Sequence, residues 1–403
     1  MAQVKTALVI GGGIAGPVTA LALRKAGIEA GVYEAYAGPA DGVGAVFMVA
    51  PNGLDALRIV GVDEAVRRIG QPIQRMIIEY GRGTQSGEFA GLPGLPSLAM
   101  RRDELQRVLH DQAAAEGIAI EHGKRLVGVD ETPGGVTARF ADGTEAHADV
   151  LVGADGIRST VRTLIDPHAP PPKYVGLLGF GGQADGGAPL AQPEAMHFAF
   201  GRRAFFGYWT GPDGRTMWFS NLPSPRRLTY EQTREVPAAE WLRRLREAHA
   251  GDLPARDVLR QVDPGELLAV GGLEILPSIP HWHRDRMVLV GDAAHAPSSS
   301  SGQGASLAVE SAVQLARCLR DLPDPATAFA AYERLRRARV EKIAANAQKN
   351  NRQKAYGPVG SAAMSVLMPL ALKTFLSPEK MFGPVHRYRI DWSGRVTAAA
   401  TPA

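Results

Sequence analysis

Val4-Lys5-Thr6-Ala7-Leu8-Val9-Ile10-Gly11-Gly12-Gly13-Ile14-Ala15-Gly16 is the stretch that decides the fold. An apolar strand-like run from Val4 to Ile10 enters a glycine turn, and a helical pattern continues through Ala26. A second apolar run, Glu29 to Tyr33, ends at Glu34. Strand, glycine turn, helix, strand and acidic residue follow one another in the order of a dinucleotide-binding βαβ unit. Gly11 permits the tight turn, Gly13 lets the backbone approach a pyrophosphate, and Gly16 lets helix and strand pack closely. Ile14 and Ala15 present the first backbone N–H groups of the helix. Glu34 falls where a carboxylate takes ribose hydroxyls, and it would repel a 2′-phosphate there. A second glycine-rich match, Gly179 to Ala184, runs into Asp185-Gly186-Gly187-Ala188-Pro189. That sequence does not open a helix, so the stretch reads as a loop and the chain has one such fingerprint.

Far along the chain a related pattern returns. Val288-Leu289-Val290 stops at Gly291-Asp292, a small-residue loop runs to Gly302-Gln303-Gly304, and a helical pattern spans Ala305 to about Arg320. An aspartate at a strand end, beside a loop that opens a helix, suits a large phosphorylated cofactor. Between these regions, Val150 to Val152 is a buried strand ending in Gly153-Ala154-Asp155-Gly156.

The chain has 403 residues and a net charge of +4. That length is enough for two or three domains with a sizeable core. No basic tract is interleaved with aromatics, which argues against nucleic acid as a partner. Arg336-Arg337-Ala338-Arg339 lies in a helical pattern between Glu333 and Glu341 and reads as a solvated face. The single cysteine, Cys318, makes no internal disulfide, and no metal-ligand spacing is present; both fit a reducing, cytoplasmic setting. The N-terminus lacks the pattern of a signal peptide. The apolar run from Val359 to Leu376 is interrupted by Pro369 and Lys373, so it reads as packing on the body rather than spanning a membrane. Whether it caps the active site or forms a partner surface stays open.

Gly42-Val43-Gly44 and Pro51-Asn52-Gly53 flank an apolar run. They read either as hinges of a mobile segment beside a cofactor or as an ordinary strand and turn. Met100 to Ala115 carries a strong helical pattern with arginine near its start. Three short strands, Met196 to Phe200, Ala204 to Thr210 and Thr216 to Ser220, concentrate aromatic residues. As a group these form a wall for a flat apolar substrate, although plain core packing accounts for any one of them. His197 and Tyr208 lie in these strands as candidates to bond a phenol. His295 reads as a loop-side structural histidine.

Gly11-x-Gly13-x-x-Gly16 with Glu34, Asp155-Gly156, and Gly291-Asp292 with Gly302-Gln303-Gly304 together resemble the single-component FAD-dependent monooxygenases of the para-hydroxybenzoate hydroxylase type. The resemblance covers most of the chain to about residue 350. It implies an α/β fold: a Rossmann-like FAD-binding domain (1–72, 98–170 and 268–350), an inserted antiparallel-sheet substrate domain (73–97 and 171–267) and a C-terminal helical segment and tail (351–403). Arg102 matches the family arginine near the FAD pyrophosphate or ribityl chain. Val127 matches a backbone beside adenine. Asp155 matches a motif tied to FAD and the nicotinamide cofactor, and Asp292 the aspartate on a ribityl hydroxyl. Gly302, Gly304 and Ala305 match the loop against the flavin pyrimidine. The implied activity is NAD(P)H- and O2-dependent hydroxylation of an aromatic or polyketide-like small molecule through a C4a-hydroperoxyflavin, in natural-product metabolism, by a monomer or homodimer.

Ser299 stands where many relatives carry proline, with Pro297 retained, and Ser311 follows Glu310 where relatives often carry aspartate. Both departures bear on the substrate more than on FAD. The alternatives are an FAD-dependent reductase, a halogenase-like flavoenzyme, or an FAD-binding protein without hydroxylase activity. The halogenase Trp-x-Trp-x-Ile-Pro pattern is absent, as Trp282 is flanked by His281 and His283.

Overall fold

The structure is a computed structural model, described here for residues 4–38, 46–80, 84–186, 192, 194–211, 213–352 and 378–397. Gly42-Val43-Gly44 and Val359 to Leu376 lie outside the described residues.

The first layer is a six-stranded sheet in the order His283–Arg284, Met287–Leu289, Val150–Gly153, Thr6–Ile10, Glu29–Tyr33, Ile120–Glu121. All its pairings are parallel except that between the first two strands. Its central strands are buried runs of Val, Leu and Ile, as a sheet covered on both faces requires. The register sets the site. Ile10 pairs with both Tyr33 and Gly153, and Gly153 pairs with Leu289. The segments beginning at Gly11, Glu34, Ala154 and Val290 therefore leave the sheet along one edge. That edge is the carboxyl end of the parallel strands at the point where strand order reverses, where ligands of such sheets bind.

The second layer is a seven-stranded sheet, Leu268–Ile275, Lys173–Ala184, Thr216–Pro223, Phe205–Thr210, Ala195–Phe200, Arg75–Tyr80, Thr84–Ala90. It is antiparallel apart from the Ala195–Phe200 and Arg75–Tyr80 pair, which is parallel. Among the described residues, two small three-stranded sheets complete the strands: Glu145–Ala148, Gly135–Phe140, Leu126–Thr132, and Val46–Val49, Ser97–Arg101, Gln71–Ile73. The helices Gly304–Asp321 and Pro325–Arg352 pack on each other, and the 304–321 helix also packs on Ala15–Lys25.

Four local readings are corrected. Gly179 to Ala184 is strand, not loop, and pairs along its length with Thr216 to Asn221. A Cβ on Gly182 would lie 2.4 Å from the carbonyl oxygen of Glu266, so glycine here marks close backbone approach. Pro51-Asn52-Gly53 is no hinge but the first turn of the helix Pro51–Ile59, with proline at its start. Leu268–Ile275 joins the seven-stranded sheet, so the boundary expected at 268 falls inside the sheet of the other domain. Arg336 is no solvated residue: it is fully buried and ion-paired with Glu310 at 2.6 Å.

Candidate functional site

At the carboxyl edge of the six-stranded sheet, two helices begin without side-chain caps. Neither Ala15–Lys25 nor Gly304–Asp321 has a side-chain N-cap bond or an acidic residue in its first turn. Their leading N–H groups lack intrahelical partners and carry the positive ends of the helix dipoles. Gly291 is held where the two helices meet. Its φ is +58°, and an added Cβ would lie 2.9 Å from Ala15 Cβ and 3.2 Å from Ala308 Cβ. The Gly-Asp turn therefore brings both helix starts to the strand end. At Gly11, φ is +108° and a Cβ would lie 2.5 Å from the carbonyl oxygen of Ala154, so that turn requires glycine too.

Glu34 is oriented by backbone. Gly12 N–H donates to its Oε2 at 2.6 Å and Tyr36 N–H to its Oε1 at 2.9 Å. Each oxygen keeps a further acceptor site for a sugar hydroxyl. Asp292 is exposed, yet protein surrounds it closely enough that burial raises its pKa, with Arg102 pulling the other way. Exposure and desolvation agree if the carboxylate lines a deep crevice rather than the outer surface. Arg102 is itself exposed, one residue past the strand Ser97–Arg101. Val127, 59% exposed, lies on the Leu126–Thr132 strand at the edge of its sheet.

Asp155 is differently occupied. Its Oδ1 accepts from Ser159 Oγ at 2.5 Å, and its Oδ2 from the N–H groups of Thr160 and Val161 at 2.7 and 3.1 Å. The carboxylate thus ties down the start of the helix Thr160–Ile165. Burial raises its pKa, and these donors lower it.

The loop after Asp292 is built from short-range bonds. His295 Nε2 lies 2.8 Å from Ser311 Oγ, and burial followed by the charge of Arg336 pushes its pKa down to about 3. A neutral, buried imidazole against Trp282 is a structural group. Ser299 is exposed in a 3-10 turn, Ser299–Ser301, and Gly302 follows with φ +59°. Gln303 Oε1 accepts from Asn52 Nδ2 at 3.0 Å, and the same amide donates to Glu310 at 2.7 Å. The starts of the 51–59 and 304–321 helices are locked together through Asn52.

The seven-stranded sheet divides its aromatics between two faces. Phe206, Tyr208, Trp218 and Ala199 pack under the helices Ala238–Ala248 and Ala255–Arg260. Met196 and Trp209, with half-buried Phe198, Met217 and Phe219, face the small sheet that carries Val46, Met48, Ile73 and Ala99. His197 and Tyr208 lie on the first face and are buried. Gln192 N–H donates to His197 Nε2 at 3.2 Å, which leaves Nδ1 to donate to Glu79 Oε1 at 2.7 Å. Tyr208 donates to the same oxygen at 2.8 Å, and burial and Glu79 both push its pKa up. A ligand between the aromatic strands and the 298–304 loop does not meet them; strand alternation turns both away. Ser220, His249 and Asp252 on that covered side have the connectivity of a hydrolytic triad. All three are buried and Ser220 Oγ donates to the Phe205 carbonyl, so none is poised as a nucleophile.

Two residues missed in the sequence touch the glycine turn. Gln106 Nε2 donates to the Gly12 carbonyl at 2.9 Å, and His110 Nε2 lies 2.6 Å from the same oxygen. With Arg102 they stand at i, i+4 and i+8 on the helix Arg102–Ala115, a spacing visible in the sequence.

The residues at this edge fit an FAD molecule: Gly13 is unobstructed, two helix starts are uncapped, Glu34 is fixed by backbone N–H groups at one end and Asp292 is exposed at the other. A family model described as FAD binding domain matches residues 4–347, and the chain belongs to that family. It is 33% identical over 354 residues to an aurachin C monooxygenase/isomerase of Stigmatella aurantiaca, covering 85% of this chain and 88% of that one. It is 30% identical over 350 residues to an FAD-dependent urate hydroxylase of Klebsiella pneumoniae, with 85% and 88% covered. Among solved structures, Klebsiella pneumoniae HpxO complexed with FAD and uric acid superposes with TM-score 0.83 at 26% identity, covering 95% of this chain and 96% of that one. The chain is an FAD-dependent monooxygenase.

Proposed function

We propose that this enzyme takes electrons from NAD(P)H and hydroxylates an uncharged, apolar aromatic molecule seated between Phe198, Met217 and Phe219 and the 298–304 loop. The observation that carries this reading is the composition of the wall. Val46, Met48, Ile73, Ala99, Met196, Phe198, Trp209, Met217 and Phe219 pack as one apolar cluster, in which Met48, Phe198, Met217 and Phe219 are only half-buried. Such a wall excludes water and orients a flat ring by shape. When bound, FAD would supply the redox chemistry, namely hydride acceptance from the nicotinamide and activation of O2. The residues proposed to hold it divide the cofactor between them. Glu34 accepts from the adenosine ribose. Gly11, Gly13, Ile14, Ala15 and Gly16 bring backbone N–H groups to the pyrophosphate, and Val127 flanks the adenine. Arg102 and Asp292 take the phosphate–ribityl side, while the backbone of Gly302, Gly304 and Ala305 meets the pyrimidine ring. There, the N–H groups of an uncapped helix start would favour negative charge on a bound ring. Asp155 serves indirectly, by fixing the turn that Gly11 packs against. Ser299 is exposed within this loop and is the polar group proposed to meet the substrate.

We further propose that 1–72, 98–170 and 276–350 form the FAD-binding part, and 73–97 with 171–275 the substrate part. The enzyme test is NAD(P)H oxidation and O2 uptake across a panel of uncharged phenols and fused-ring heteroaromatics, their carboxylated analogues, and urate. Uptake stimulated by the uncharged members, with product hydroxylation, is the expected result. Stimulation by carboxylated members or urate alone would overturn the substrate reading, and none by any member would overturn the hydroxylase reading.

A further inference from the structure

The glycine turn is held in part by a neighbouring helix. Gly12 is pinned through both of its peptide planes. Its N–H donates to Glu34 Oε2 at 2.6 Å, which fixes the Gly11–Gly12 plane. Its carbonyl faces Gln106 Nε2 at 2.9 Å and His110 Nε2 at 2.6 Å, which fixes the Gly12–Gly13 plane. In a trans peptide the carbonyl and the following N–H point in opposite directions. Drawing the Gly12 carbonyl toward the helix Arg102–Ala115 therefore turns the Gly13 N–H away from it. Around Gly13 the backbone is open: an added Cβ would meet nothing within 4 Å.

We propose that Gln106 and His110 are positioning residues for the cofactor, aiming the Gly13 N–H at the FAD pyrophosphate by holding the Gly12 carbonyl. His110 does so with Nε2–H as donor, because the carbonyl can only accept. Without the two donors, glycine's wide conformational range leaves this peptide free to rotate, and the N–H must be ordered by the ligand at binding. Arg102 shares the same helix face, so one helix contributes a cation to the site and sets the backbone of the turn. This inference rests on the reading that the Gly11–Gly16 turn receives the pyrophosphate.

The test is titration of the apoprotein with FAD and, in competition, with ADP, which carries the pyrophosphate without the flavin. His110→Phe keeps the ring shape and removes the donor, His110→Gln keeps a donor near the Nε2 position, and Gln106→Met removes the second donor. Each donorless variant is expected to weaken FAD by about three- to tenfold, the range of a net hydrogen bond. ADP weakens by a similar factor, while His110→Gln returns toward wild type. A purely structural loss would lower the apoprotein melting temperature and would not sort His110→Phe from His110→Gln. FAD and ADP affinities within about twofold of wild type in the His110→Phe/Gln106→Met double variant would overturn the proposal. So would equal losses in His110→Phe and His110→Gln. Gly13→Val separates the two levels of the argument. Unchanged FAD binding there removes the pyrophosphate reading itself, whereas lost binding there with an unaffected double variant removes only the role of Gln106 and His110.

Discussion

Asp292 shows at a single residue how binding capacity is set against stability. It is exposed yet closely surrounded by protein, and the resulting desolvation raises its pKa despite nearby Arg102. A carboxyl whose folded pKa lies above its unfolded value favours the fold most when protonated. Its contribution is full below the ordinary value of 3.8 and is lost as pH rises through the raised folded value. At neutral pH the ionised group is therefore a burden on the apoprotein, offset when a ligand hydroxyl donates to it. Asp292→Asn is expected to weaken FAD by roughly ten- to hundredfold, the worth of a charge-assisted hydrogen bond. The same variant should melt at or above the wild-type apoprotein temperature near neutral pH, with that advantage vanishing in acid. FAD titration and thermal melting at two pH values check this. An Asn variant that binds normally would remove Asp292 from the site, and one that melts lower at neutral pH would remove the desolvation account.

The helix pair 304–321 and 325–352 carries the same logic between elements. Glu310 and Arg336 are both fully buried, paired at 2.6 Å, and Arg339 adds a second bond to Glu310 at 2.9 Å. Arg339 also donates to the Val385 carbonyl, and Tyr388 lies under its guanidinium at 4.0 Å. Asn52 joins Glu310 to Gln303, so the network runs from residues near the chain's end to the start of the 304–321 helix. Glu310→Gln leaves Arg336 buried without its counter-charge and is expected to cost about 3–5 kcal/mol of stability. A urea unfolding midpoint close to wild type would show that the network is replaceable. This arrangement was not legible in the sequence, where Arg336 and Arg337 look like one charged surface run. Helical periodicity places Arg336 one way and Arg337 another, but which side meets another helix depends on tertiary packing. Similarly, alternation along 195–221 tells which aromatics share a face, not which face a helix covers, so the sequence alone does not say on which side His197 and Tyr208 lie. By contrast, the turn from Gly11 to Glu34 and the break at Gly291-Asp292 were legible because each depends on local backbone demands. The parallel pairing of Arg75–Tyr80 with Ala195–Phe200 joins residues more than a hundred positions apart, and no local signal announces it.

Across the whole molecule, the proposed FAD site is assembled from segments that meet only in the fold: 11–34, 102–110 and 291–305. The sheet register aligns their strand ends, and Gly291 seats the two helix starts against each other. A ligand touching all three segments stabilises the native arrangement over any state in which one has come loose. At FAD about a hundredfold above its dissociation constant, mass action adds about 2.7 kcal/mol to the folded state. Removing FAD is therefore expected to lower the thermal midpoint and to raise amide exchange at 11–16 and 299–305 together. Exchange along Glu145–Ala148, in a separate small sheet, should change little. Asp292→Asn measured at the same FAD concentration should recover less of this stabilisation, in proportion to its weaker binding. Protection confined to the N-terminal turn would mean that the 291–305 segment does not contact the cofactor. An unchanged midpoint at saturating FAD would mean that binding leaves the three segments no more tightly joined than before. Joint protection of both distant segments is what a single cofactor spanning the carboxyl edge must produce, because neither helix start can release it without exposing the other.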